Sequence, residues 1–411
     1  MSEKNHKVLI TRLGIISALG LDLAENWANL CAGKSGIREI TLFDASKLQT
    51  RIAAQVSGSF EEYAKEYCKK RISHQMTRVT RFCYVCALDA VARSGIDFDA
   101  FDRSRCGVIL GAVTSGNSTA EQGTTAKNRI IKGMSNSMSA WISMHFGLEG
   151  PNFVVNTACA SSAYAMSLAH DLIASGRADL VIAGGADSTI NYEEIEGFNE
   201  LYALSTFNED PVRASRPFSA ERDGFVIGEG AGIVILESEK SAIRRKADVY
   251  AEFAGYALTS EAYNIMSPKK DGEGMAKTMR LALENSGTSP EDIDYINAHG
   301  TSTTLNDKYE TMAIREVFGS RAGSIPVSSV KSMIGHTIGA AGAIEAAITS
   351  MSVRNDMVAP TMNLERRDPE LDLDFVPGKA RRHVIRNAIS NSFAFGGHNA
   401  TIVLRKYTAQ D

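Results

Sequence analysis

The residues most able to do chemistry lie in short turn-rich stretches that follow apolar runs. Cys159 stands in NTACASSAYA, where a strand gives way to a tight turn and then to a helix rich in small residues. At a helix N-terminus, unpaired N–H groups and the positive dipole end favour a thiolate. The same N–H groups could hold an oxyanion. A buried structural thiol fits that position as well. His299, in INAHGTSTTLND, ends another strand beside turn residues. That setting suits acid–base work, and it equally suits a histidine that caps the turn. Lys331 and His336 share VKSMIGHTIGAAG, in a loop between a buried strand and a buried helix. A lysine there either orients a partner or is solvated. In NSFAFGGHN (391–399), the paired glycines after Phe395 let backbone amides approach a ligand, or simply turn the chain into NATIVLR.

The elements that carry these stretches alternate. Short strands (CGVILGA, FVVNTA, ADLVIAGG, GIVILE, DYINAHG, IPVSSVK) are separated by helical runs, which argues an α/β fold. FVVNTA runs into ASSAYAMSLAHDLI, and IPVSSVK is followed by GAAGAIEAAITSM. Both helices are rich in Ala, Gly and Ser and apolar on most faces, as buried helices are. The shared rhythm suggests a duplicated fold with a common central layer. The locally charged ESEKSAIRRKADVYAE marks a boundary near 240–255.

Composition narrows the function. With 411 residues the chain can bury a large core. Lys plus Arg is 44 against 48 for Asp plus Glu, a net charge of −4, which excludes a generally basic nucleic-acid binder. No run approaches the roughly 18 apolar residues of a membrane helix. The N-terminus does not read as a signal peptide, because Arg12 interrupts its apolar stretch, so the expected location is cytoplasmic. The six cysteines are scattered, unlike a disulfide framework, and Cys83 and Cys86 read as helix-buried thiols. GEGAG (228–232) is followed by a strand where a dinucleotide loop needs a helix. The eight histidines show no metal-ligand spacing.

Taken together and in order, NTACAS, RPFSAERDGFVIGEGAG, AHGTST, SVKSMIGHTIGAAG and NSFAFGGHN closely resemble the elongating β-ketoacyl-[acyl-carrier-protein] synthases of the thiolase superfamily, over nearly the whole chain. The resemblance implies a duplicated thiolase-like fold with five layers, α-β-α-β-α, and a dimer. It implies an N-terminal half, 1–250, with the nucleophilic cysteine, and a C-terminal half, 251–411, with the His/Lys/His set. Cys159 would accept an acyl chain as a thioester, with the Cys159 and Phe395 amides as oxyanion hole. His299 and His336 would hold the malonyl thioester carbonyl as carbon dioxide leaves, and Lys331 would position them. Phe395, with Phe393, would gate the acyl pocket. Thr301 and Thr303 match positions that contact the phosphopantetheine arm. No cofactor is implied, since that arm arrives on the acyl carrier protein. In some relatives a structural monovalent cation touches positions matching Asn297, Glu345, Ser390 and Asn391.

The acyl carrier protein is acidic, so its docking patch would be basic. Lys69, Lys70 and Arg71, with Arg78 and Arg81, are the candidates, against the plainer reading of a solvated helix face. A second synthase-like chain, either an identical copy or a chain-length-factor-like subunit, is the other expected partner. Nucleic acid and membrane are not expected. No cysteine follows position 159, which argues against a degradative thiolase with its second cysteine. Chain-initiating members carry Asn where this chain has His336, and non-catalytic chain-length factors lack the cysteine.

The departures from the pattern cluster at tunnel and gate. Glu261-Ala262-Tyr263-Asn264 stands where D-A-Y-H is usual, and Ala394 replaces a Gly that permits gate movement, which predicts a stiffer Phe393–Phe395 segment. Val113 and Thr114 within GAVTSGNS (111–118) replace Gly and a bulky aliphatic residue. The stretch 124–144 lacks the usual Pro-rich run. Intact chemistry with an altered tunnel predicts a specialised synthase, such as the ketosynthase subunit of a polyketide or polyene pathway. A housekeeping fatty-acid enzyme is the simpler alternative, and a non-catalytic scaffold subunit the remaining one.

Overall fold

A computed structural model describes residues 6–114 and 126–408. Residues 115–118 and 124–125 of the two divergent stretches therefore lie outside the described residues. The main sheet has ten strands, numbered here in chain order: β1 (Val8–Ile16), β2 (Cys106–Gly111), β3 (Asn152–Val155), β4 (Leu180–Asp187), β5 (Gly230–Ser238), β6 (Ala251–Ser260), β7 (Tyr295–Asn297), β8 (Val327–Ser328), β9 (Asn387–Ala394) and β10 (His398–Arg405). Their spatial order is β8-β7-β9-β10-β6-β1-β5-β4-β2-β3. Most are near-continuous apolar runs, as expected of strands covered on both faces. Every residue of β2, β4 and β5 is buried.

The duplication is written in the pairing. In the first half, β1–β5 and β5–β4 are antiparallel, while β4–β2 and β2–β3 are parallel. In the second, β6–β10 and β10–β9 are antiparallel, while β9–β7 and β7–β8 are parallel. Each half thus orders its strands third, second, fourth, fifth, first. The first strands of the halves pair with each other, Leu9 with Glu252 and Ile10 with Ala251.

The two small-residue helices, Ser161–Ala174 and Ala341–Asn355, pack on each other and on strands of both halves, inside one shared core. Glycines in the strands let them come close. A Cβ on Gly111 would lie 2.2 Å from the Ser161 carbonyl carbon, and one on Gly232 would lie 2.5 Å from the Ile344 nitrogen. Helices Arg78–Ala92 and Ser137–Phe146 cover the outer face of the first half, and Glu273–Ser286 and Thr304–Phe318 that of the second. The layers run helix, sheet, helix, sheet, helix.

Local differences from the sequence expectation have simple causes. FVVNTA pairs only as far as Val155, because Thr157 and Ala158 already belong to the turn that presents Cys159. IPVSSVK is a strand only at Val327–Ser328. Lys331 opens a one-turn helix, Lys331–Ile334, rather than lying in an open loop. All six cysteines are free thiols, with Cys83 and Cys86 buried in the helix Arg78–Ala92. Among the described residues, no helix is long and apolar enough to cross a membrane.

Candidate active site

The chain turns sharply after β3 to present Cys159. Ala158 takes φ 50°, a left-handed conformation that costs a residue with a Cβ of order 1–3 kcal/mol. Local polar bonds hold it there. Thr157 N donates to Ser161 Oγ at 2.9 Å, Ala158 N to Asn156 Oδ1 at 3.2 Å, Ala160 N to Thr157 O at 3.2 Å, and Ser161 N to Ala158 O at 3.1 Å. The Cys159 amide takes part in none of these bonds, and so can serve as a donor for a ligand oxygen. The thiol itself is buried. Desolvation pushes it up to about 12, with the Lys331 charge pulling the other way. Burial thus opposes the pull of the helix terminus toward thiolate.

His299 follows β7, and its backbone is held by a carboxylate that sequence reading missed. Glu310 Oε1 accepts the His299 amide and Oε2 the Gly300 amide, each at 2.8 Å. The signal was an acid on the apolar face of the helix Thr304–Phe318, three and four residues before the buried Ala313 and Ile314. Lys331 Nζ lies 3.4 Å from His299 Nδ1, donates to the His299 carbonyl at 2.6 Å and pairs with Glu345. Lys331 is 1% exposed, so the solvated reading fails. An ammonium only donates, so His299 Nδ1 accepts and the proton of the neutral ring sits on Nε2.

His336 reaches the same arrangement by a different route. Its amide donates to Val226 O at 2.7 Å, and its Nδ1 accepts the Ile338 amide at 3.3 Å. Ile338 has φ 47°, rare for a β-branched residue. Burial first, and the nearby Lys331 second, hold both histidines well below the usual imidazole range. Both rings are therefore neutral, with Nε2–H as the free donor. Their centroids are 5.4 Å apart and their planes 85° apart.

Cys159, His299 and His336 line one cavity of about 410 Å³, together with Thr301, Thr303, Phe393 and Phe395. Lys331 stands behind it. Val113, Phe198, Ala203, Phe225 and Ile338 form an apolar part of the wall. Thr301 and Thr303 bond each other through their hydroxyls at 2.8 Å. Phe395 opens the hairpin turn Phe395–Gly397 between β9 and β10, so NSFAFGGHN is both a glycine turn and part of the cavity wall. Ala394 is extended, with φ −118°, a conformation open to any residue. The departure from Gly thus fits the backbone here without strain. Glu261 accepts from Lys269 N at 2.6 Å and Asn399 Nδ2 at 3.1 Å, tying the loop after β6 to β10.

The residues matching the cation positions of some relatives are all buried. Among the described residues, Asn297 Oδ1 and Glu345 Oε2 have no hydrogen-bond partner, and two orphaned buried oxygens suit a cation. Asn297 Nδ2 donates to Ser390 Oγ at 3.2 Å, while Asn391 Oδ1 is taken by Thr401. Burial pushes the Glu345 carboxyl up to about 7, against the pull of Lys331.

The docking candidates separate into two groups. Lys69, Lys70 and Arg71 are exposed and enter no ion pair among the described residues. Arg78 and Arg81 do not belong with them: Arg78 is committed to the fully buried Glu229 and Arg81 to Glu61. None of the group lines the cavity.

A buried cysteine at a strained turn, facing two neutral imidazole donors between the halves of a duplicated five-layer fold, defines a thiolase-type acyl-transfer enzyme. The chain belongs to the β-ketoacyl synthase family: residues 5–242 match the "Beta-ketoacyl synthase, N-terminal domain" model and residues 250–365 the "Beta-ketoacyl synthase, C-terminal domain" model. It is 40% identical to the 3-oxoacyl-[acyl-carrier-protein] synthase 2 of Synechocystis sp., covering 98% of each chain. Among solved structures, the ishigamide ketosynthase/chain length factor is 32% identical with a TM-score of 0.90, covering 98% of this chain and 100% of that one. A type II PKS ketosynthase solved with its acyl-carrier protein and bound to the hexaketide is 31% identical with a TM-score of 0.88, at the same coverage.

Proposed function

We propose that this chain elongates carrier-bound acyl chains by decarboxylative Claisen condensation. The Cys159 sulfur attacks the thioester carbonyl of an acyl-acyl-carrier-protein. The bond from that carbonyl to the pantetheine sulfur breaks, and the proton lost by Cys159 ends on the departing thiol. A malonyl thioester then enters, and its carbonyl oxygen accepts from Nε2–H of His299 and His336. The bond to its carboxylate breaks, carbon dioxide leaves, and the electron pair remains as an enolate held by the two donors. The enolate carbon attacks the acyl-Cys159 carbonyl, whose oxyanion takes the Cys159 and Phe395 amides. Collapse expels the Cys159 thiolate, which regains a proton, and releases β-ketoacyl-acyl-carrier-protein.

One observation carries this reading. Both histidines have Nδ1 occupied from within the protein, leaving two neutral Nε2–H donors in the cavity of Cys159. Lys331 acts as the positioning cation, Thr301 and Thr303 guide the pantetheine arm, and Lys69, Lys70 and Arg71 meet the acidic carrier protein. No cofactor enters the reaction. A monovalent cation, where bound, would be held by Asn297 and Glu345 and would brace Lys331. The reading places the chain in the cytoplasm, as a dimer.

Intact-protein mass spectrometry tests the proposal. The expected result is an acyl adduct on Cys159 with octanoyl-acyl-carrier-protein, discharged as β-ketoacyl product when malonyl-acyl-carrier-protein is added. The absence of any adduct overturns it. A second reading, the catalytic subunit of a heterodimer, is favoured by the likeness to the ishigamide ketosynthase/chain length factor. It predicts an adduct without condensation until a second synthase-like chain is supplied.

A further inference from the structure

Asp187, at the end of β4, has no part in the reaction as written, yet it is wholly buried and saturated with hydrogen bonds. Its Oδ2 accepts the Gly339 amide at 3.0 Å and the Val113 amide at 3.1 Å. Its Oδ1 accepts the Thr114 hydroxyl and the Ser188 amide, each at 3.0 Å. Among the described residues, no cationic side chain pairs with it. Burial pushes its carboxyl up to about 6, opposed first by the Gly339 and Val113 amides. A carboxylate kept at such a cost, with three of these four bonds directed at two loops, points to a task.

The task follows from what Gly339 is joined to. The preceding residue, Ile338, has its amide on His336 Nδ1 and carries φ 47°. Among the described residues, nothing else bonded to this turn is charged. The contact is also close: a Cβ on Gly339 would lie 2.7 Å from Asp187 Oδ2 and 2.9 Å from the Val113 nitrogen. We infer that Asp187 is the positioning residue of His336. By holding the Gly339 amide it keeps Ile338 in its strained conformation, so that the Ile338 amide stays on Nδ1 and the His336 proton stays on Nε2, facing the cavity. Strained conformations of this kind persist only where the surroundings over-determine them.

The inference rests on the condensation reading, and its test keeps the two separable. Asp187→Asn leaves one acceptor oxygen where there were two, so a donor nitrogen must face either the Gly339 and Val113 amides or the Ser188 amide. Cys159 acylation by octanoyl-acyl-carrier-protein needs no His336 donor, so it should change less than about 3-fold. Malonyl decarboxylation on the acylated enzyme should fall by about 10- to 100-fold, the scale of a misaimed catalytic group. A parallel fall in both steps, or no change in decarboxylation, overturns the inference. Failure of the unsubstituted chain to acylate at all overturns the condensation reading instead. Long-range ¹H–¹⁵N spectra of histidine-labelled protein supply a readout that packing alone would not move. The unsubstituted chain should show His336 protonated at Nε2, and Asp187→Asn should show signal at Nδ1–H. Nδ1–H in the unsubstituted chain overturns the inference even if the variant does not fold.

Discussion

Arg78 grips Glu229 with two guanidinium nitrogens, at 2.9 and 2.6 Å, and Glu229 has no exposed surface. The same carboxylate accepts Val56 N at 2.9 Å and Ser188 Oγ at 2.7 Å, so it knits the helix Arg78–Ala92 to the ends of β4 and β5. Removing Arg78 would strand a buried charge. Arg78→Ala is expected to destabilise the fold by about 3–5 kcal/mol, read as a lower thermal unfolding midpoint. Arg81→Ala, whose partner Glu61 is mostly exposed, is expected to leave the midpoint unchanged. Equal effects would contradict this division.

The two imidazoles define a second prediction. His336→Ala removes one of two donors to the enolate oxygen. Condensation kcat is expected to fall by about 10²–10³-fold, the usual cost of one oxyanion donor, while the Cys159 adduct still forms. Loss of the adduct as well would assign His336 to the first step.

Cys159 supplies the pH dependence. Its thiol is raised by burial to about 12, so the neutral form dominates at pH 7. Between pH 7 and 10 the thiolate fraction should grow about tenfold per unit, and iodoacetamide alkylation of Cys159 should rise with it. A plateau below pH 9 would mean that the helix terminus and Lys331 outweigh desolvation.

Docking is tested by charge reversal. Lys70→Glu with Arg71→Glu alters exposed side chains away from the cavity. KM for carrier-bound substrates is expected to rise more than kcat falls, and the effect should shrink at high salt. An unchanged KM leaves these residues as a solvated face.

Much of the fold and most of the site residues could be read before the structure, for unequal reasons. Cys159, His299, Lys331 and His336 lie in turn-rich motifs whose order is distinctive, and the small-residue helices announce a buried central layer. The partners of those residues are silent in sequence. Glu310 sits mid-helix and Asp187 ends an apolar strand, and only tertiary contact turns either into a clamp. For Cys159 the sequence shows the helix terminus but not the depth of burial that opposes it. Arg78 looked like one more basic residue in a charged stretch because its partner lies 151 positions away.

The pairing of β1 with β6 has a consequence for how the chain is made. β1 is nine apolar-rich residues near the start, yet its neighbours are β5 and β6, whose residues begin at 230 and 251. At about 5–20 residues per second, a ribosome needs roughly tens of seconds to deliver them. During that interval both edges of an aggregation-prone segment wait unpaired. The joint that unites the two halves in the finished protein is therefore a period of exposure for the nascent one, when a chaperone has most to protect.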